Sequence, residues 1–545
     1  MTELRTSTPG ASAPAATDAE APSIVGVAPG ATLAAHRRLF DALEAAYPVR
    51  FCAWDRGEQV CDALIVTAAG AVPSRPEGAP DVPVLAIAAD APAAAGHEDV
   101  RLAGHEAIDR RLHGLTVPGH EVRLEMRVAE GDKVIANGPS GAFWTLTPGP
   151  LPVHSVRAAL PALGADDVLR TALLPERALA LVALVHFVRS LVGERWQEPA
   201  LRACILFDDP NLRWPSYGYI DYRRLVDHAD AHGYHASMAM IPLDARWPHA
   251  RAVATFRSRP DRLSLVIHGN DHNKRELMQP ANLSEGLGLV AQALRRVTRF
   301  EARTGLRVDR VMVPPHGLCS RTVAQALGAV GYDALCAIHP FPWTARPPGD
   351  HLLAGWGPTI FLDGCAIVPR FPLTSSAVEI ALRAFLGQPL VLYGHHDDLS
   401  DGLDPLVTAA ANVNRLGEVQ WMSLGGIVES SYDLRVASTT AVIRPWARRM
   451  RVALPSGVTD LVVQAPAMTG DVAGLRGWRT PGEPAMDFGA RRPLTGDREV
   501  VVQLVPQWET DPLAVRSPAW RPWPAMRRMS TEARDRLLAL RAAAG

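Results

Sequence analysis

The chain has 545 residues, a length that predicts about two to four domains rather than one. Hydrophobic residues make up 48% of the sequence and charged residues 21%, which excludes a chain that is disordered, collagen-like or coiled-coil as a whole. The 56 basic and 57 acidic residues give a net charge of −1, so no global field favours nucleic acid or an anionic membrane as a partner. We expect a soluble globular protein.

The cysteines and the N-terminal residues indicate the cellular compartment in which we expect the protein. The six cysteines include no CxxC pair and are too few for a disulfide framework at this length. Residues 1–22 lack the basic start and apolar run of a secretory signal, and we interpret them as a disordered tail. The most apolar stretch, Ala178 to Val188, is shorter than the roughly 20 residues that a membrane span needs. These features predict a reducing, cytoplasmic location and no membrane span.

Residues 23–150 predict an N-terminal α/β domain, because β-prone apolar runs alternate with a helical stretch at His36 to Ala46. The first predicted strands are Ile24 to Ala28, Val49 to Trp54, Ala63 to Thr67 and Val82 to Ala88. The turn after the first of them has neither a GxGxxG nor a GxxxxGK[ST] pattern, so a nucleotide site is not expected there. Further strands are predicted between Thr116 and Pro150.

The remaining chain divides into four predicted parts. Residues 151–197 are a helical connector whose long helix, Pro175 to Arg195, carries an apolar stripe that we expect to dock two domains. Residues 198–430 alternate apolar strands with amphipathic helices, the pattern of repeated β/α units. Residues 431–510 predict a small β-sandwich. Residues 511–545 are a tail with a short helix, Thr531 to Ala543. The predicted fold class is α/β, a central (β/α) barrel with an N-terminal α/β domain and a C-terminal β-sandwich.

Four apolar runs of the central region end in residues suited to metal binding or proton transfer. The endings are Asp208-Asp209, His268-Gly-Asn-Asp-His272, Pro314-Pro315-His316-Gly317 and Gly394-His395-His396-Asp397-Asp398. In β/α barrels the C-terminal ends of the strands converge on one site, so these segments can meet although they span about 190 positions. Two imidazoles and one carboxylate leave positions open for water and substrate, as in catalytic metal sites. Asp209, His268 and His272 form such a set.

The order FDD, HxxxH, PPHG and a late strand ending in His resembles the NodB-homology polysaccharide deacetylases of carbohydrate esterase family 4. The resemblance covers roughly residues 203–424, under half of the chain. It implies a barrel of the polysaccharide-deacetylase type for the central region. It also implies that Asp209, His268 and His272 bind a divalent metal ion, usually zinc.

The same resemblance implies catalytic roles for residues beside the ligands. Asp208 corresponds to the general base, and His395 to the general acid, with His396 as the alternative acid. We prefer His395 because its relation to Leu392 fits the family's Leu-x-Leu-His pattern better. The implied reaction releases acetate and a free amine from a carbohydrate or other N-acyl small molecule.

Further residues are candidates for substrate contact. Trp214 and Tyr217 follow the first ligand segment and are candidates for stacking on a sugar ring, with a place in the core as the alternative. Pro315 and His316 are candidates from the third segment.

The sequence also departs from the family pattern. Where the family carries an arginine that orients the base, this chain has Val313. Arg370 is a candidate substitute from another strand, although we favour a surface or structural role for it. Three hypotheses result: an N-deacetylase of an N-acetylated sugar or related small molecule, a hydrolase of another (cyclic) amide, and a catalytically silent glycan-binding protein on the same fold.

Overall fold

The computed structural model describes residues 21–55, 60–68, 78–88, 96–106, 108–121, 126, 128–163, 178–196, 199–338, 356–362, 364–466, 474–496, 498–519 and 521–544. Within these ranges no helix is both long enough and apolar enough to cross a lipid bilayer. Most of the tail predicted at residues 1–22 lies outside them.

Nine strands between residues 23 and 156 form one sheet. They are β1 (Ser23–Ala28), β2 (Val49–Ala53), β3 (Ala63–Ala68), β4 (Val84–Ala88), β5 (His97–Leu102), β6 (Thr116–Glu121), β7 (Lys133–Gly138), β8 (Gly141–Thr147) and β9 (Val153–Val156). The spatial order is β2-β1-β3-β4-β9-β8-β7-β5-β6, and the pairings among β1 to β4 and β9 are parallel. Helices α1 (Gly30–Ala35) and α2 (Arg37–Ala46) follow β1. The four strands predicted first are present.

A buried helix, α3 (Ala178–Val192), connects this sheet to the central region. Apolar side chains cover most of its surface, and it packs on β4 and β9. Arg189 near its end donates a hydrogen bond to Tyr47 Oη at 3.0 Å and another to the carbonyl of Phe385 at 2.6 Å. The helix therefore holds two parts of the chain together through one guanidinium group. Pro175, predicted near its start, lies outside the described residues.

The central region contains a largely parallel sheet. Its strands are β10 (Leu201–Asp208), β13 (Ala236–Met240), β14 (Leu263–His268), β15 (Asp309–Val313), β16 (Ala334–Ala337), β17 (Ile360–Leu362), β18 (Cys365–Pro369), β19 (Phe371–Pro372), β20 (Leu390–Gly394) and β21 (Val419–Trp421), with a separate hairpin of β11 (Ser216–Tyr217) and β12 (Ile220–Asp221). The helices are α4 (Tyr222–His232), α5 (Ala250–Ser258), α6 (Leu283–Thr304), α7 (Arg321–Val330), α8 (Ala377–Phe385), α9 (Asp404–Asn414) and α10 (Leu424–Glu429).

The strands of this sheet pair in one series that ends at β17 on one side and at β19 on the other. From β10 the parallel pairings run through β13, β14, β15 and β16 to β18. Only Arg370 separates β18 from β19, which pairs with β20, and β20 pairs with β10. All eight residues of β10 are buried, as expected for a parallel strand covered on both faces. This arrangement places the ends of several strands around β10.

Local sequence signals explain where the surrounding helices begin and end. The longest helix of the central region, α6, begins where the Asn282 side chain accepts a hydrogen bond from the Glu285 amide at 3.0 Å. It ends at Gly305, whose φ of 67° closes the last turn without steric cost. Its buried side includes Val290, Leu294 and other apolar residues at helical spacing.

The last part of the chain forms two small sheets and a helix. The strands are β22 (Tyr432–Ala437), β23 (Thr440–Pro445), β24 (Arg449–Ala453), β25 (Asp460–Val463), β26 (Leu475–Arg479), β27 (Arg491–Pro493) and β28 (Glu499–Pro506). The sheets have the orders β22-β23-β25-β27 and β24-β28-β26 and share one apolar cluster with the back of the central sheet.

The C-terminal helix, α11 (Pro522–Ala544), is longer than predicted. It begins at Pro522 rather than Thr531, because prolines are tolerated in a first turn, where the backbone nitrogen has no intrahelical partner. This extra length brings residues 522–530 over the central sheet, as described below.

Candidate metal centre and active site

The four polar strand endings of the sequence meet at one edge of the central sheet. β15, β14, β13, β10 and β20 are neighbours in this order, and each pair is parallel. Asp208, His268, Val313 and Gly394 are the last residues of four of these strands. Because parallel strands end at the same edge, the segments that follow them converge there.

Three of these side chains form a cluster of the size that a metal ion needs. Potential ligand atoms of Asp209, His268 and His272 lie within 4.8 Å of one another. His272 Nε2 is 3.1 Å from Asp209 Oδ1, and His268 Nε2 is 3.7 Å from the same oxygen. The structure therefore brings together the three residues predicted as ligands, with their donor atoms facing a common point.

The protonation states of the two imidazoles suit metal binding. His268 Nδ1 lies 3.0 Å from the carbonyl oxygen of Val313, so Nδ1 carries the proton and Nε2 presents its lone pair to the cluster. Burial lowers the pKa of His268, and it lowers the pKa of His272 to about 3, against the opposing attraction of Asp209. Both rings are thus neutral at pH 7, which is the form that binds a metal.

One oxygen of the Asp209 carboxylate has no hydrogen-bond donor among the described residues. Its Oδ1 atom is inaccessible to solvent and accepts no hydrogen bond from the described residues. Burial raises the pKa of this group, but the nearby His272, His268 and Arg528 lower it to about 2 overall, so the carboxylate is ionised. A buried anionic oxygen between two neutral imidazoles fits a divalent cation. The residues present therefore suit the metal that the sequence predicts.

A buried glutamate shapes the loop that carries His272. The Glu276 carboxylate accepts hydrogen bonds from the amides of Asn270 at 2.6 Å, Asp271 at 3.0 Å and His272 at 3.1 Å. Burial raises the pKa of Glu276 to about 7 although these amides oppose the shift. At Gly269, φ is 59° and an added Cβ would lie 1.9 Å from Glu276 Oε1. Glycine is therefore required at 269 for the carboxylate to reach the loop.

Asp208 faces a different set of partners. It is 3% exposed, and Arg370 Nη1 donates a hydrogen bond to its Oδ1 at 2.7 Å. His395 Nε2 lies 4.0 Å from its Oδ2. Burial raises the pKa of Asp208, but Arg370 and then His268 outweigh that effect, so its pKa lies below the usual range. Asp208 is an ionised carboxylate next to the cluster, with one oxygen held by an arginine.

The structure excludes a surface position for Arg370, which was one of the two roles that we favoured from the sequence. It is 1% exposed, stacks over the Tyr393 ring at 4.5 Å and binds Asp208, so it is not a surface arginine. It lies in the one-residue break between β18 and β19. The guanidinium group beside Asp208 thus comes from the segment between β18 and β19 and not from the third segment.

The two adjacent histidines after β20 occupy different environments. The side chain of His395 is 51% exposed and points its Nε2 toward Asp208. His396 is 5% exposed, packs between the rings of Tyr217 and Tyr219, and has its Nε2 3.5 Å from Asp535. Only His395 therefore combines access to solvent with proximity to the other site residues.

The four residues predicted to contact substrate differ in their exposure to solvent. Trp214 is 48% exposed, but the Arg536 guanidinium lies 4.4 Å from its ring centre. Tyr217 is 2% exposed and forms a hydrogen bond with Arg528. Pro315 is buried, while His316 is exposed with its ring centre 5.4 Å from that of His272. Of the four, His316 and Trp214 are the ones that a substrate can reach.

Sequence reasoning missed the contribution of α11 to the site. Arg528 donates to Asp244 Oδ2 at 2.8 and 3.0 Å, and its Nη1 lies 3.8 Å from Asp209 Oδ1. Arg213 bridges Asp244 at 2.9 Å and Glu532 at 3.1 Å. One sequence feature could have indicated this contact. Charged residues recur at helical spacing at Arg528, Glu532 and Asp535, so they lie on one side of a helix.

Backbone strain is concentrated at this edge of the sheet. Among the described residues, five non-glycine residues have a positive φ. Four of these lie in the converging segments: Asp209, His272, Arg275 and His316. A left-handed conformation costs a non-glycine residue roughly 1 kcal/mol or more. Such conformations persist where the surrounding contacts fix the backbone, which is common at functional sites.

Comparison with known proteins gives a structural likeness. No protein-family model matches the chain, and no curated protein matches it in sequence. A family 4 carbohydrate esterase from Streptomyces lividans in complex with acetate is 12% identical, with a TM-score of 0.24 over 40% of this chain and 87% of that one. A family 4 acetyl xylan esterase from Clostridium thermocellum in complex with a cobalt ion is 11% identical, with a TM-score of 0.24 over 41% and 89%.

The chain is also similar to the deacetylase domain of BpsB from Bordetella bronchiseptica, at 14% identity and a TM-score of 0.21 over 44% of this chain and 89% of that one. These identities and TM-scores are low, so a function must be argued from the side chains themselves.

Gly269→Ala tests the construction of the metal cluster. Because the new Cβ would collide with Glu276 Oε1, the loop carrying His272 cannot keep its position. We expect an excess of Zn²⁺ to stabilise the wild-type protein, by about 2.7 kcal/mol at 100 times the dissociation constant. The variant should lose this stabilisation, as measured by thermal unfolding with and without the ion.

Gly331→Ala is the matched control. Gly331 also has a positive φ, 97°, but an added Cβ there would meet nothing within 4 Å. This variant should lose stability through backbone strain alone and keep the full response to Zn²⁺. An equal zinc response in Gly269→Ala and the wild type would contradict the assignment.

Proposed function

We propose that this chain is a divalent-metal-dependent hydrolase of amide bonds, which removes the acetyl group from an N-acetylated sugar or a related small molecule. The observation that carries the proposal is the separation of the two adjacent carboxylates. Asp209 faces His268 and His272, whereas Asp208 faces Arg370 and His395. A ligand carboxylate beside an independent, ionised carboxylate is what metal-assisted hydrolysis requires.

In this proposal Asp209, His268 and His272 hold the ion. A divalent ion bound there would polarise the acyl oxygen and lower the pKa of water. Asp208 accepts the proton of the attacking water, which its low pKa and its position beside the cluster allow. Arg370 keeps Asp208 ionised and fixes the orientation of its carboxylate through Oδ1, so that Oδ2 stays available.

His395 is the proposed general acid. Its Nε2 atom lies 4.0 Å from Asp208 Oδ2. Because the ring is also exposed, it can donate a proton to the amine that leaves. His396 is enclosed by Tyr217, Tyr219 and Asp535, which supports a structural role for it. We further propose that the central sheet is a barrel of the polysaccharide-deacetylase type, supported by its largely parallel strands and by the single residue that joins β18 to β19, which lie toward opposite ends of the strand order.

The alternative of a silent glycan-binding protein loses its main support. That hypothesis rested on the absence of an arginine ahead of the third segment, where Val313 stands. Arg370 now occupies the equivalent chemical position beside Asp208 at 2.7 Å. The site therefore retains a base, its positioning arginine, three candidate ligands and an exposed histidine.

The proposed reaction is tested by incubating the zinc-loaded protein with a panel of N-acetylated sugars and cyclic amides. We expect acetate and free amine from an N-acetylated sugar. Asp208→Asn should lower kcat/KM by about 10²–10⁴-fold because it removes the base, without changing the zinc content. Ring opening of a cyclic amide without acetate release would replace deacetylation by the other amide hypothesis.

Substrates with different leaving groups distinguish the roles of His395 and His396. His395→Ala should slow the hydrolysis of an amide, whose amine must be protonated, far more than that of an aryl ester, whose phenolate leaves unaided. His396→Ala should affect both substrates equally, because its role is structural. A selective loss of amide hydrolysis in His396→Ala instead would exchange the two assignments.

The Arg370–Asp208 pair predicts a specific change in pH dependence. In Arg370→Met, burial would act on Asp208 without the opposing guanidinium, so the pKa of the carboxyl group rises. The acid limb of kcat/KM should therefore move to higher pH, since Asp208 must be ionised to act as base. Arg370→Lys keeps a positive charge and should restore part of the wild-type profile.

The control measurement for this pair is thermal unfolding. Removing one partner of a buried ion pair costs about 3–5 kcal/mol, so both variants must first be shown to be folded at the assay temperature. An acid limb that stays in place in folded Arg370→Met would contradict the positioning role.

A further inference from the structure

A cavity of about 470 Å³ lies far from the metal cluster, where three parts of the chain meet. Its lining includes Tyr47 after α2, Trp356 of the central region and Trp446 after β23. Ala200 also lines the cavity and directly precedes β10, whereas Asp209 directly follows that strand. The residues of β10 span roughly 25 Å. The cavity and the metal cluster therefore lie at opposite edges of the central sheet.

Aromatic rings form one wall of this cavity. The centre of the Tyr47 ring lies 6.1 Å from that of Trp356 and 6.2 Å from that of Trp196. Arg189 fixes this wall, because it donates a hydrogen bond to Tyr47 Oη at 3.0 Å and lies 4.2 Å from the centre of the Trp196 ring. Trp196 is only partly buried and lines the cavity. An aromatic ring held in this way can pack against the apolar side of a ligand ring.

Two arginines of the last part of the chain line the same cavity. The guanidinium group of Arg444, on β23, lies 5.0 Å from the centre of the Trp446 ring. Its Nε atom is buried and donates no hydrogen bond within the described residues. Burial lowers the pKa of Arg444, and the nearby Asp433 opposes that effect. Arg435, on β22, is exposed and donates one hydrogen bond to the carbonyl of Arg195 at 2.6 Å. Guanidinium groups in such surroundings favour a carboxylate or a phosphate, which they bind through paired hydrogen bonds.

Asp433 adds hydrogen-bond acceptors to the lining of the cavity. Its Oδ2 atom accepts a hydrogen bond from Trp446 Nε1 at 2.9 Å. An ionised carboxylate has about four acceptor positions, so Asp433 can receive further donors. This carboxylate would repel a ligand that is only an anion, whereas hydroxyl groups of a ligand can donate hydrogen bonds to it. The cavity therefore suits a ring that carries both hydroxyl groups and an acidic group.

We propose that this cavity binds an acidic sugar, that is, a monosaccharide with a carboxylate or a phosphate group. Arg444 and Arg435 bind the acidic group. Asp433 accepts hydrogen bonds from the hydroxyl groups, and Trp196 packs against the sugar ring. The volume of the cavity lies within the range of small-molecule sites, about 300–1,000 Å³. Binding at this edge of the sheet needs no hydrolysis, so the proposal does not depend on the proposed function.

Isothermal titration calorimetry of the full chain tests this site. The ligands are glucuronic acid, glucose 6-phosphate, glucose and inorganic phosphate. We expect one of the acidic sugars to bind at least about tenfold more tightly than glucose or inorganic phosphate, because it alone pairs with both the arginines and Asp433. The acidic sugar that binds more tightly identifies the acidic group. Arg444→Met should weaken the binding of that sugar at least about tenfold.

Arg449→Met is the matched control, because Arg449 is 45% exposed, lies on β24 and does not line the cavity. It should bind the acidic sugar like the wild type. His268→Ala, which changes the metal cluster at the other edge of the sheet, should also bind it like the wild type. Arg435→Met replaces an exposed side chain and should weaken binding even if Arg444→Met does not fold. Thermal unfolding shows which variants are folded.

Three results would overturn the proposal. The first is that neither acidic sugar binds more tightly than glucose. The second is that the folded arginine variants of the cavity bind the acidic sugar like the wild type. The third is a loss of binding in His268→Ala, because the sugar would then occupy the metal centre.

Discussion

Two neighbouring carboxylates at the end of β10 can stay ionised only because each has its own positive or metal-binding surroundings. Asp208 is paired with Arg370 at 2.7 Å, and Asp209 faces His268, His272 and Arg528. Without these partners burial would push both carboxyl groups toward the neutral form, in which neither binds a cation or accepts a proton. The positive φ of Asp209, 78°, is the backbone strain that accompanies this arrangement. Other residues of the site hold the partners of Asp208 and of Asp209 in separate positions.

The supporting structure comes from widely separated parts of the chain. The Glu276 carboxylate holds the loop of His272 by its amides, and the break between β18 and β19 places Arg370. On the other side, α11 connects the loops after β10 and β13 through Arg528 and its partner Asp244. Removing Arg370 leaves the buried Asp208 carboxylate without its arginine, and removing the Glu276 carboxylate leaves buried backbone amides without their acceptor. Either loss is more costly than losing an exposed contact. We therefore regard α11 as part of the site architecture.

The sequence predicted the features that depend on local patterns. The strand endings with Asp209, His268 and His272 could be recognised because apolar runs stop abruptly at polar residues, and parallel strands bring such endings together. Arg370 could not be assigned, since a single arginine gives no indication of the strand to which it will be adjacent. The start of α11 was missed because Pro522 and Pro524 suggest a break, although a first turn accepts them. Which side of that helix is buried could not be predicted, because the sequence does not show which of its sides packs on another element.

The central claim is that Asp209, His268 and His272 bind one divalent ion. The most direct measurement is elemental analysis of protein purified without a metal-affinity tag, for the wild type, His268→Ala and His228→Ala, in which the replaced histidine lies on α4 away from the cluster. The account predicts close to one divalent ion per chain in the wild type and in His228→Ala, and none in His268→Ala. A wild type that holds no metal even after divalent ions are resupplied, or an unchanged metal content in His268→Ala, would contradict it.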